Sequence, residues 1–246
     1  MTARVTFVGC GDAFGSGGRF NTCFLVETPS LRFAIDFGAS SLIALKKLGI
    51  DPNTIDVVVL THFHGDHCGG VPFLLLDAAL GARRKSPLTI IGPQDTRFRI
   101  TALSEALFPT MHIRIPQFYL AYLDSGFDRP LEFGGLKVTS FKAAHTDATI
   151  PSSVRVEAHG KVVAYTGDSA WTEHMPALAK DADLFICESY FYDTPIRFHL
   201  NHVDILEHRR KLAPKRMVLT HFSPEMIERI DDASEQCAYD GLTIDI

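Results

Sequence analysis

The stretch THFHGDHCGG, residues 61–70, places His62, His64, Asp66 and His67 within six positions, directly after the apolar run VVVL (57–60). Residues two apart on an extended backbone share a face, so His62 and His64 can converge on one cation. Gly65 forces a turn, and Asp66 and His67 can then point to a second spot. One loop can thus supply two ligands to each of two neighbouring ions. Imidazole and carboxylate suit zinc, with manganese or iron as alternatives. A solvated polar loop is the bland alternative, and four such side chains after a buried strand argue against it. A catalytic zinc takes three protein ligands and keeps one position open, so more ligands are needed. The chain offers three at strand ends: His145 after LKVTSFKAA, Asp168 after KVVAYTG and His221 after RMVLT.

The elements that must position these residues follow from hydrophobic periodicity. RVTFV (4–8), TCFLVE (22–27), LRFAID (31–36), DVVVL (56–60) and LTIIG (88–92) read as strands. So do FYLAYL (118–123), PLEF (130–133), LKVTSFKA (136–143), DLFICES (183–189), RMVLTHF (216–222) and GLTIDI (241–246). SSVRVEA (152–158) and KVVAYTG (161–167) form a hairpin through His159 and Gly160. Helical spacing marks 40–49, 70–82, 96–108, 171–180, 202–212 and 224–230. Strands with interspersed helices predict an α/β layered sandwich, two sheets face to face with helices outside. No linker, repeat or low-complexity tract divides the chain, so residues 1–246 are expected to form a single domain.

Composition narrows the classes. Hydrophobic residues make up 46% and charged residues 22%, as in an ordinary globular protein. The net charge of −5, with no basic stripe, argues against a general nucleic-acid-binding role. The five cysteines show no CxxC pair, which reads as reduced thiols. No apolar region precedes FVGC (7–10), and no run reaches the roughly 18 residues of a membrane span. The expected setting is cytoplasmic, with no membrane partner.

The order HxHxDH, a later histidine, TGD and LTH resembles the metallo-β-lactamase superfamily across nearly the whole chain. The resemblance implies a four-layer αββα sandwich with two divalent metal ions at one edge. It implies a first ion held by His62, His64 and His145, a second held by Asp66, His67 and His221, and Asp168 bridging them. β-Lactamases of this fold lack that bridging aspartate, so antibiotic hydrolysis is not expected. FVGCGDAFGSGGRFN (7–21), TIIGP (89–93), FHLNH (198–202) and MVLTHFSPEM (217–226) are similar to ribonuclease Z and related phosphodiesterases. By that likeness His199 assists phosphoryl chemistry, and Asp66, Asp168 and His199 are the catalytic groups.

One departure bears on substrate. Bacterial ribonuclease Z inserts an arm that grips tRNA between the positions of His145 and Asp168. Here those positions are 23 apart, and the 152–167 hairpin fills the gap. RNA is therefore not favoured, and a small phosphodiester is expected, attacked by a metal-bridging hydroxide. A thioesterase or lactonase could use the same centre, and a non-catalytic metal-binding module is the alternative of another class. The resemblance also allows a homodimer, although no interface can be read from the sequence.

Other residues carry two readings. Asp36 either orients a ligand histidine or serves as a turn residue. Tyr190, Phe191 and Tyr192 either line a substrate pocket or pack as core. His202 either caps a helix or supports the site. Cys68 is expected as a packed thiol, and His208 on a solvated helix face. His112, His159 and His174 lack partner motifs. Arg19, Arg97 and Arg99 could meet a phosphate but are ordinary surface arginines by default. The run from Gly9 to Gly15 approaches a dinucleotide fingerprint, with Phe14 where the third glycine should stand.

Overall fold

The computed structural model describes residues 2–110 and 118–246. His112 lies outside the described residues. The first sheet contains β1 (Arg4–Gly9), β2 (Cys23–Glu27), β3 (Arg32–Ile35), β4 (Val57–Val59), β5 (Leu88–Gly92) and β6 (Leu120–Asp124). The second contains β7 (Pro130–Phe133), β8 (Leu136–Lys142), β9 (Ser152–Ala158), β10 (Lys161–Tyr165), β11 (Leu184–Glu188), β12 (Met217–Thr220) and β13 (Gln236–Cys237). β14 (Thr243–Asp245) returns to the first sheet, which has the order β14-β1-β2-β3-β4-β5-β6. The second sheet runs β13-β12-β11-β10-β9-β8-β7. Both sheets are mixed: β1, β2 and β3 pair antiparallel before the parallel set β3-β4-β5-β6, and β8, β9 and β10 pair antiparallel before β10-β11-β12 turns parallel.

Side chains alternate across each strand, and this alternation builds the layers. Val5, Phe7, Phe33, Ile35, Val57 and Val59 of the first sheet meet Val154, Val156, Tyr165, Leu184, Ile186 and Val218 of the second in one inter-sheet core. The opposite face of the first sheet packs Ala34, Val58, Leu60 and Ile90 under α1 (Ser41–Lys47), α3 (Val71–Leu76) and α4 (Thr96–Leu107). The opposite face of the second packs Phe185, Cys187 and Leu219 under α5 (Met175–Ala179), α6 (His202–His208) and α7 (Pro224–Glu228). Three apolar layers between four structural layers make this the αββα sandwich.

Several expected elements differ in extent. The 70–82 helix is α-helical only over Val71–Leu76 and continues as a π-helical turn over Asp77–Gly81. The 171–180 helix begins at Met175, because Pro176 suits a first helical turn. His159 and Gly160 both take positive φ, 52° and 72°, as a two-residue hairpin of this hand requires. Besides short 3-10 turns, two elements had no forecast. One is β13, and the other is the one-turn helix α2 (Gly65–Cys68).

Candidate metal centre

β4, β8, β10, β11 and β12 all deliver polar residues to one edge of the sandwich. His62 follows β4, and His64 leads into α2, where His67 N–H and Cys68 N–H both donate to His64 O. That single turn carries Asp66 and His67. His145 follows β8, Asp168 follows β10, and His221 follows β12. Gly167 precedes Asp168 with φ +59°, and a Cβ there would sit 2.7 Å from Ser152 O. His221 itself takes φ 64°, with its N–H on Cys10 O. A left-handed non-glycine residue costs roughly 1 kcal/mol or more, so the surrounding structure enforces this pose.

All seven histidines and aspartates expected at the site come together, in two overlapping groups that share Asp168. In the first, His64 Nδ1 lies 3.1 Å from both His62 Nε2 and His145 Nε2, and Asp168 Oδ2 is 3.8 Å from His62 Nε2. In the second, His67 Nε2 is 3.3 Å from Asp66 Oδ2 and 3.1 Å from Asp168 Oδ1. His221 Nε2 is 3.3 Å from Asp66 Oδ2 and 3.4 Å from Asp168 Oδ1. The two carboxylate oxygens of Asp168 thus face different groups.

Outward contacts set which nitrogen faces inward. His62 Nδ1 donates to Thr61 Oγ1 at 3.1 Å, and His145 Nδ1 donates to Phe198 O at 3.1 Å. His67 Nδ1 donates to Asp36 Oδ2 at 2.7 Å. Asp36 is fully buried and also accepts from Thr61 N–H and Thr61 Oγ–H, both at 2.7 Å. Asp36 therefore orients a histidine of the cluster rather than closing a turn. With Nδ1 engaged, the Nε2 atoms of His62, His67 and His145 point inward, the orientation that metal-binding histidines require. His67 Nε2 and Asp168 Oδ1 are buried without a hydrogen bond of good geometry. Buried polar atoms are rarely left so, and a cation between them accounts for the arrangement. The donor set and its unsatisfied inward atoms fit divalent metal.

The electrostatics fit as well. Burial pushes the His62 pKa well down and takes His145 to about 4, so both present neutral nitrogens. Burial opposes charge on His67 and His221, but Asp168 and Asp66 outweigh it. His67 is held well above its usual value, and His221 is raised to about 9. Without a cation the second group is thus neutralised by protons, which a metal would displace.

One functional residue escaped the sequence reading. Glu188, the last residue of β11, is fully buried and accepts from His199 Nδ1 at 2.8 Å and from Ser169 N–H. Its Oε2 is 4.0 Å from His221 Nδ1. The signal was present: DLFICES is another apolar strand closed by an ionisable residue. Burial lowers the His199 pKa, but Glu188 and then Asp168 more than reverse this and raise it above its usual value. Tyr190 stacks on His199, with ring centroids 5.0 Å apart.

A cavity of about 810 Å³ opens onto the cluster, with Phe14, Tyr190, Phe191, Arg197 and His199 on its walls. Tyr190 and Phe191 are therefore pocket residues, whereas Tyr192 packs against His202 and under Arg229. His202 is buried and bonded to Glu235 at 3.0 Å, apart from the cluster, and the α6 cap is Asn201. His208 is half-buried among exposed neighbours and stacks on Trp171 at 3.8 Å. Arg19 donates to Ala238 O and Arg99 to Ala148 O. Cys68 is a buried thiol pushed up to about 12 by desolvation.

Residues 33–222 match the family described as the beta-lactamase superfamily domain. A ribonuclease Z of Agathobacter rectalis is 27% identical over 269 aligned positions, covering 89% of this chain and 86% of that protein. The metallo-β-lactamase fold protein YhfI of Bacillus subtilis superposes with a TM-score of 0.79 at 20% identity, covering 100% of this chain and 99% of YhfI. The short form of human tRNase Z also superposes at 0.79, with 24% identity and 98% of each chain covered.

Proposed function

The chain belongs to the metallo-β-lactamase superfamily, and on that premise we propose that it is a two-metal phosphodiesterase acting on a small phosphodiester. The observation that carries this reading is His199, held on the buried Glu188 beside the double cluster with its pKa raised. A protonated histidine can donate to the oxygen that leaves phosphorus, and a raised pKa favours that form. A phosphodiester is anionic before attack, whereas a thioester or lactone is neutral, and an anionic group suits a cationic imidazole.

His62, His64 and His145 would hold one ion, Asp66, His67 and His221 the other, and Asp168 both. Two such ions, zinc by the chemistry of this donor set, would lower the pKa of bound water and offset charge on the scissile group. Asp168 fixes the separation of the two triads. Asp66 faces His67 and His221, and its carboxylate stays ionised far below the usual range through those contacts despite burial. Tyr190 keeps the imidazole of His199 upright by stacking.

Two relatives are named as nucleases, which makes RNA the neighbouring substrate class. The compact β9–β10 hairpin occupies the stretch between His145 and Asp168, and the net charge is −5. Polyanion binding draws on clustered cationic residues, so a small substrate suits this surface better. We assign the activity to residues 1–246 as one unit. The five free thiols suit a reducing, cytoplasmic setting, and no helix among the described residues is long and apolar enough to cross a membrane. A panel of phosphodiesters, thioesters and lactones on metal-reconstituted protein tests the proposal. Phosphodiester turnover that falls in His199→Ala is expected, and a preference for carbon esters would overturn it.

A further inference from the structure

Among the described residues that line the cavity, Arg197 is the single arginine or lysine. Among the described residues its guanidinium forms no ion pair and lies over the Phe198 ring, 4.4 Å from the centroid. Phe198 in turn stands edge-on to His145 at 5.8 Å, so one phenyl ring separates the guanidinium from the first triad. The Phe198 backbone is held left-handed at φ 74°, and its carbonyl accepts from His145 Nδ1. The position of Arg197 is therefore tied to the site by a constrained backbone.

Phe14 lines the same cavity, yet it is 81% exposed. Its loop is rigid: the buried Asp12 accepts from Phe14 N–H at 3.1 Å, Ser16 N–H at 2.9 Å and Ser16 Oγ at 2.7 Å. An exposed phenyl on a hydrogen-bonded loop that lines the cavity offers an apolar ring face for a ligand to cover. The walls thus offer an apolar seat and, one ring's width from the metal ligands, an unpaired guanidinium suited to a phosphate or carboxylate.

We propose that Arg197 and Phe14 select the substrate: a small phosphodiester that carries an apolar ring system and a second anionic group. This rests on the phosphodiesterase reading above. The scissile group meets the cluster, the ring covers Phe14, and the second anion pairs with Arg197.

The test compares the 5′-(4-nitrophenyl phosphate) ester of thymidine with the same ester bearing a 3′-phosphate. Leaving group and ring are identical, and only the second anion differs. The metal-loaded protein is expected to prefer the 3′-phosphorylated ester by about tenfold in kcat/KM, mainly through KM. Arg197→Gln should bring that ratio near one, and Arg197→Lys should keep part of it. Phe14→Ala should raise KM for both esters together. Equal kcat/KM for the two esters in the starting protein, or a ratio unmoved by Arg197→Gln, would overturn the inference. If neither ester is cleaved, the phosphodiesterase reading falls separately. Calorimetric binding of thymidine 3′,5′-bisphosphate then decides on Arg197, expected tighter than thymidine 5′-phosphate, with the difference lost in Arg197→Gln; equal affinities would contradict it.

Discussion

Glu188 Oε2 accepts a hydrogen bond from His199 Nδ1 at 2.8 Å, and the glutamate is fully buried while the imidazole reaches the cavity. The pair couples an interior carboxylate to a half-buried imidazole that faces the cavity. A protonated His199 is needed for donation, and its pKa is raised, so activity should fall as pH rises through that raised value. Glu188→Gln removes the charge that supports the proton. The descending limb of the kcat profile should then move to lower pH, and kcat should drop by roughly 10²-fold or more. A profile superimposable on that of the unaltered protein would show that Glu188 serves only packing.

Protons and metal compete for His221 and His67. His221 is raised in the fold to about 9 from an ordinary 6.5. A raised histidine contributes stability that is fully present below its unfolded value and is lost as pH rises through the folded value. Metal-free protein should therefore lose stability between about pH 6.5 and 9. The rise in Tm produced by zinc should grow over the same window, as fewer protons must be displaced. Thermal scans with and without zinc across that range check both signs, and a zinc effect independent of pH would contradict them.

Asp36 makes no contact with solvent but fixes His67 and Thr61 together. Asp36→Asn keeps the shape and loses the negative charge behind His67. Metal affinity should weaken by roughly 10–100-fold, measured by competition with a chromogenic chelator. Unchanged affinity would return Asp36 to a purely structural role.

Gly167→Ala places a Cβ 2.7 Å from Ser152 O at a residue with φ +59°. Destabilisation of about 1–3 kcal/mol is expected from urea denaturation, with loss of turnover because Asp168 follows directly. A variant of unchanged stability would show that the segment after β10 adapts freely.

Much of this cluster was legible because four of its seven residues directly follow apolar strands. His62, His145, Asp168 and His221 share that signature, and strand ends on one edge of a sandwich converge. The π-helical end of the 70–82 helix and the late start at Met175 were not legible, since periodicity alone does not register a widened turn or where tertiary packing begins a helix. Glu188 was missed because an acid at the end of an apolar strand looks like a solvated terminus until the neighbouring His199 is folded beside it. The stacking of His208 was not legible for a similar reason: its partner Trp171 is distant in sequence.

The central claim is a pair of metal sites joined by Asp168 and used on a phosphodiester. The most direct measurement is metal content alongside hydrolysis of bis(4-nitrophenyl) phosphate, for the starting protein and for Asp168→Ala. About two equivalents per chain are expected with measurable turnover, and the variant should lose turnover and bind no more than about one equivalent. A fully metallated protein that leaves the diester intact, or an Asp168→Ala variant that keeps both metals and activity, would contradict the account.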